Sequence, residues 1–399
     1  MHLSLRSSLI LSSLIYVPLM AMDVSRESEE TPTVPQLQDL FANPQLLFDS
    51  DAGVDYSQMW INSRRIEKME WDPSGRLLAL AAYNREAPSI SIADSSNGSS
   101  HTIPIDNLSH HTIPQLAWNK SGTLLALGLL ERVSRRSKIA IYDVAKRSIS
   151  RKFNTLDGQD YSPVIAWSPH EETMLAVLES PNLPVRFYRI PENNAEPVTH
   201  TDPPVAFNSQ GYYGEPTQLN WKHKHNITMA YVRAAFCMNT ETQKLGTIMS
   251  GGPTGTGPCP QIACHPQKNI VAAGRIPEWQ GGFLSKPTAE DYRFWRLALY
   301  QIDEAPQPTM LATTQLDGWE KNTHIRSLAF SHDGQFLIAA RDDGFSIMNG
   351  ETLQELLFQR HTDKTKQYLA QWNPKTNQLA FTRGTQLYIT DDLKNMNNE

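Results

Sequence analysis

Residues 325–341 read IRSLAFSHDGQFLIAAR (Ile325–Arg341). Alternating apolar residues lead to an aromatic, Phe330, and the alternation predicts a strand with one buried face. The polar SHDG that follows, closing on Gly334, predicts a tight turn. The apolar run after it reads as a strand buried on both faces, in which the small Ala339 lets neighbouring backbones approach. The third strand is FSIMN, ending at Asn349, and the fourth is the more polar LQELLFQ (Leu353–Gln359).

The pattern recurs along the chain. It reads IEKMEWDPSGRLLALAA from Ile66, IPQLAWNKSGTLLALGL from Ile113 and PVIAWSPHEETMLAVLE from Pro163. It returns as PTQLNWKHKHNITMAYV from Pro216, PQIACHPQKNIVAAG from Pro260 and YLAQWNPKTNQLAFTR from Tyr368. The anchors are Trp71, Trp118, Trp167, Trp221, Cys264, Phe330 and Trp372. An alanine follows eight or nine positions later in every copy: Ala79, Ala126, Ala176, Ala230, Ala272, Ala339 and Ala380. Four short antiparallel strands per unit of roughly 45 residues, repeated radially, predict an all-β, seven-bladed β-propeller. The seventh copy ends at Asp391 without a fourth strand, while QLLFDS (Gln45–Ser50) and QMWINS (Gln58–Ser63) precede the first. One of these is expected to supply the missing outer strand and close the ring, removing an exposed sheet edge.

Phe330–Asn349, FSHDGQFLIAARDDGFSIMN, resembles the heart of a WD repeat, and IAIYD ending at Asp143 resembles that repeat's closing strand. The likeness covers residues 45–391 as scattered motif positions, and most Gly-His starts and Trp-Asp finishes are missing. The Tol-type periplasmic propellers share the aromatic–Ser–Pro–Asp–Gly turn and are a close second resemblance, although their N-terminal α/β domain has no room here. Membership of the WD-repeat type implies a platform for protein partners, not a chemistry.

His2 and Arg6, the apolar run Ser7–Met20 and the small Ala21 match an export signal over residues 1–21. The run is short for a membrane span, which needs roughly 20 apolar residues. Residues 22–44 open on DVSRESEETPTVP and read as a flexible linker, residues 45–391 as the propeller and residues 392–399 as a disordered tail. The expected location is therefore outside the cytoplasm, periplasmic or secreted, for a monomeric mature chain without a membrane span; the alternative is an uncleaved anchor or an N-terminal helix, with a cytoplasmic chain if the segment is not a signal. A net charge of −6 with both signs mixed lacks the clustered basic face that nucleic acid requires. Cys237, Cys259 and Cys264 are an odd set and read as small buried hydrophobes.

Two insertions draw attention, because insertions in a propeller map to loops. Ile276–Trp295, between the second and third strands of the fifth copy, makes the Cys264-to-Phe330 spacing 66 residues, against 42 to 54 elsewhere. It carries Trp279, Phe283 and Tyr292, which offer large contact area at low entropic cost. ERVSRRSK (Glu131–Lys138) places Arg132, Arg135 and Arg136 at a hairpin tip suited to an acidic partner or phosphate groups. Both also read more plainly, the first as a cap over its blade and the second as a solvated turn.

The histidines are scattered, and His223 and His225 would share a face if both lay on one strand. No metal-ligand set accompanies them. GGPTGTGP (Gly251–Pro258) lacks the Lys-Ser/Thr of a phosphate loop and reads as a link between blades. No catalytic residue, metal or cofactor is implied. The expectation is a non-catalytic interaction scaffold; the alternative is a propeller enzyme of hydrolase, lactonase or quinoprotein-dehydrogenase type. Its channel site would draw on groups such as Glu278, Glu290, Asp291 and His200.

Overall fold

The computed structural model describes residues 37–49, 65–83, 88–105, 115–159, 162–179, 185–191, 198–200, 215–231, 234–250, 261–274, 297–302, 308–314, 325–361, 368–383 and 386–393, except a few positions within these ranges. Its strands form seven four-stranded antiparallel sheets. The innermost strands of blades 1 to 7 are Arg65–Trp71, Gln115–Trp118, Val164–Trp167, Pro216–His223, Gln261–Cys264, Ile325–Phe330 and Ala370–Trp372. Each contacts the innermost strand of the next blade, and blade 7 returns to blade 1, so the sheets form a ring. Among the described residues no helix is long and apolar enough to cross a membrane.

Six blades take their strands in sequence order; the seventh does not. Gln45–Asp49 pairs with Gln386–Ile389, with Gln45 opposite Ile389 and Leu46 opposite Tyr388. The N-terminal strand is therefore the outer strand of the last blade, as the truncated seventh copy predicts. QMWINS lies outside the described residues.

The core is seven cores, one at each junction between blades. Trp118 shares a cluster with Ala79, Ile90 and Ile92 of blade 1, and Trp167 one with Ala117, Ile139 and Ile141 of blade 2. Trp372 packs with Phe336 and Ile338 of blade 6. The seven repeat alanines are all fully buried. A longer side chain there would push blades apart, which is why the sequence keeps that position small.

Two boundaries drawn from sequence need correction. Leu37, Leu40 and Phe41, inside the stretch read as linker, are buried between blades 6 and 7. Phe41 stacks on Phe345 with ring centroids 5.5 Å apart and meets Phe381 edge-on at 5.4 Å. Leu393, inside the expected tail, is buried in the same cluster. Local composition marked both stretches as polar, yet a few apolar side chains suffice to anchor each at the seam where the ring closes. Cys237 and Cys264 are buried and unbridged, as read; Cys259 lies outside the described residues.

The turn after each innermost strand also joins the blades. In six blades the residue after the anchor is a buried polar group: Asp72, Asn119, Ser168, His265, Ser331 and Asn373. Each accepts backbone N–H groups of its own turn, for example Leu124 N to Asn119 Oδ1 at 2.8 Å and Phe336 N to Ser331 Oγ at 2.9 Å. Where the next turn carries a glycine, as at Gly75, Gly122 and Gly334, that glycine sits against the cap. A Cβ on Gly75 would lie 2.1 Å from Asn373 Oδ1, and one on Gly334 would lie 2.2 Å from His265 Nε2. Both glycines also have positive φ, so the position excludes other side chains twice over.

Candidate functional site

The ring encloses a central channel whose cavity of about 210 Å³ is lined by the innermost strands of all seven blades. Alternation along each strand turns the positions one and three before the anchor toward this space. The positions one before the anchors hold Glu70, Ala117, Ala166, Asn220, Ala263, Ala329 and Gln371, of which all but Ala263 and Ala329 line the cavity. Those three before hold Lys68, Gln115, Val164, Gln218, Gln261, Ser327 and Leu369, and all seven line the cavity.

Several of these polar groups bind neighbouring blades together. Gln218 of blade 4 donates from Nε2 to the Ile262 carbonyl of blade 5 at 2.7 Å and accepts the Ile262 N–H at 2.9 Å. Ser327 of blade 6 does the same with Ala370 of blade 7, at 3.1 and 2.9 Å. Gln371 Nε2 donates to Glu70 Oε2 across the closing junction at 3.3 Å. Trp118 Nε1 reaches the Glu70 carbonyl at 2.9 Å, and Trp167 Nε1 the Ala117 carbonyl at 3.0 Å. Each such bond satisfies a group that burial would otherwise penalise.

Two charged residues stand apart. Glu70 is half-buried in the channel, and loss of solvation pushes its carboxyl above the usual range, opposed chiefly by the Lys222 ammonium. Lys222 follows the blade 4 anchor, the one position where the buried turn cap is replaced by an exposed lysine. There the innermost strand slips register after Asn220 and continues to His223, so this residue lines the channel instead of capping a turn. Arg326 also faces the channel but is held by Asp342 at 2.6 Å.

Of the residues singled out from sequence, Trp279, Phe283, Tyr292 and Arg132 lie outside the described residues. The insertion connects Gly274 to Leu297, which are directly paired as the ends of the second and third strands of blade 5. The blade 2 tip joins the same two strands of its own blade, so that tip and the Gly274–Leu297 ends lie on one face of the ring. Arg135 and Arg136 are exposed there beside Val133, which is 79% exposed. Arg135 has a φ of 53°. Glu131 accepts from Ser134 Oγ at 2.6 Å and Lys138 Nζ at 2.8 Å, which shapes the turn.

Of the channel residues considered for an enzyme, His200 alone is among the described residues. His200 lies on the outer strand of blade 3, opposite Phe187 and farthest from the channel, while Glu278, Glu290 and Asp291 lie outside the described residues. His223 and His225 do not share a strand face, because the hairpin turns between them and His225 pairs with Glu241 at 2.9 Å. His265 caps its turn by accepting from Gln267 N and Lys268 N at Nδ1. Among the described residues no three His, Cys, Asp or Glu side chains are grouped to hold a metal. Gly251–Pro258 lies outside the described residues.

No protein-family model matches the chain. No curated protein matches it either. Among solved structures the chain is similar to one in the crystal structure of a mitotic checkpoint complex, at 14% identity and a TM-score of 0.58, covering 96% of this chain and 98% of that one. At that identity the likeness establishes a shared seven-bladed fold.

Proposed function

We propose that the chain is a non-catalytic protein-interaction scaffold of the WD-repeat propeller type, exported from the cytoplasm. The observation that carries this reading is that the blade 2 tip and the paired ends of the fifth-blade insertion, Gly274 and Leu297, lie on the same face of a closed ring. Loops held on a rigid frame are where binding usually sits. The exposed Val133, Arg135 and Arg136 tip offers contact area and positive charge together. The polar groups that tie neighbouring blades along the channel wall stiffen that frame. The propeller it resembles belongs to a protein complex, which supports a protein partner for this chain too. Export rests on the basic start, apolar run and Ala21 of residues 2–21.

Affinity capture tests the binding face. Trp279→Ala with Phe283→Ala, and separately Arg135→Ser with Arg136→Ser, should deplete the captured partner and leave the melting temperature unchanged. Lower stability with capture intact, measured on the folded fraction, would make the loops caps and move the search to the channel mouth. N-terminal sequencing should find the mature chain starting near Met22; an intact Met1 on cytoplasmic protein would refute export. The second reading, a propeller enzyme, draws on the Glu70 carboxyl in the throat, and turnover that disappears in Glu70→Gln would favour it.

A further inference from the structure

Glu70 comes from blade 1 and Lys222 from blade 4, on opposite sides of the ring, and both line the same cavity of about 210 Å³. Among the described residues no ion pair within 4.0 Å includes either of them. The hydrogen bond to the Glu70 carboxylate comes from a neutral amide, Gln371. Lys222 nevertheless acts on Glu70 more strongly than Lys68 does, although Lys68 is two residues away on the same strand face. Both lysines line the cavity with Glu70, and Lys222 does so from the far wall of the throat.

The space between the two charges is kept open by the sequence. Four of the seven positions preceding the anchors are alanine, and Ala117 and Ala166 line the cavity. The cavity of about 210 Å³ is large enough to admit a small polar solute between the two charges. The remaining charges on the wall are Glu67, Lys68 and Arg326, the last neutralised by Asp342. The wall thus carries both signs in near balance, which gives neither a simple anion nor a simple cation an advantage. It favours a ligand that presents one charge to each side. Amides of Gln115, Asn220 and Gln261 supply further hydrogen-bonding groups.

We propose that the central channel binds a small zwitterion of free α-amino-acid size, its ammonium against Glu70 and its carboxylate against Lys222. This site lies in the channel, apart from the loop face, so its failure leaves the partner reading untouched. Calorimetric titration of the full chain with each free α-amino acid tests it directly. At least one should bind saturably with a Kd below about 1 mM, and its amine-only and acid-only analogues should bind about tenfold more weakly or worse. Glu70→Lys and Lys222→Glu should each remove binding, and the double exchange should restore it with the ligand reversed. Glu70→Gln and Lys222→Met, which change charge with little change of shape, should weaken binding by about tenfold or more. No saturable binding by any amino acid, equal binding of a single-charge analogue, or full affinity in Glu70→Gln would overturn the proposal. The wild-type titration alone suffices to do so should a variant misfold.

Discussion

Trp167 and Trp372 hold the same repeat position, are 5% and 4% exposed, and differ in the partner of the indole N–H. The Trp167 Nε1–H is donated to the Ala117 carbonyl of the preceding blade, whereas Trp372 Nε1 is buried with no hydrogen-bond partner. Replacing each by Phe removes the same atoms from a similar junction. The lost volume is common to both, and Phe at 372 keeps a ring against Phe336, so the difference reads chiefly the hydrogen bond. Trp167→Phe leaves the Ala117 carbonyl without that donor, at about 1–3 kcal/mol, while Trp372→Phe removes a donor that was already unsatisfied. Trp167→Phe should therefore be the more destabilising by about 1–3 kcal/mol, and Trp167→Ala should cost about 3–5 kcal/mol. Urea unfolding followed by far-ultraviolet circular dichroism measures both, provided the slope is unchanged between variants. If Trp372→Phe costs as much as Trp167→Phe, the indole does not clamp the blades. A Trp167→Ala loss below about 1 kcal/mol would place the repeat register itself in error.

Phe41→Ala should cost about 3–5 kcal/mol, because its ring is clamped between Phe345 and Phe381; a loss under about 1 kcal/mol would return residues 22–44 to a linker. Acid should weaken the fold through two buried histidines. Burial, reinforced by Arg383, holds His361 down to about 3, and burial with Lys268 holds His265 down to about 4. The unfolded chain takes up these protons first, so stability present above about pH 6.5 is lost progressively as pH falls toward the folded values. His361→Gln should accordingly flatten the drop in melting temperature between about pH 7 and pH 4, and an unaltered drop would exclude His361 as a cause. Burial also raises Cys264, and raises Cys237 to about 11. A Cys259→Ser variant should thus leave an aromatic disulfide reagent unreacted until denaturant is added; prompt reaction in the native state would contradict the buried placement.

The blades were legible because each copy couples an anchor to an alanine, and packing between blades constrains both. The turn caps were also visible, since Asp72, Asn119, Ser168, His265, Ser331 and Asn373 align once the anchors do. Lys222 breaks that column, and this was the available signal for the channel. Its meaning depends on the register slip in blade 4, which no local pattern announces. Glu70, Asn220 and Gln371 could be placed in the throat only after the ring was known, because alternation gives two faces without saying which one meets the axis. His200 misled for the same reason: a polar residue beside a long connection carries no mark of its distance from the centre. Leu37, Leu40 and Phe41 were hidden by polar neighbours and by lying outside the repeat.

Closure of the ring by its first strand is the claim from which the scaffold and the channel both follow. Leu46 and Tyr388 are directly opposed across that seam. Cross-strand Cα separations of about 4.5–5.5 Å lie within the range a disulfide accepts. Leu46→Cys with Tyr388→Cys, in a Cys259→Ser background, should oxidise to an intramolecular bond, seen by mass spectrometry as a link between the two peptides in monomeric protein. The linked chain should melt at a higher temperature than its reduced form. A disulfide formed only between molecules, or none in the folded protein, would contradict the closure.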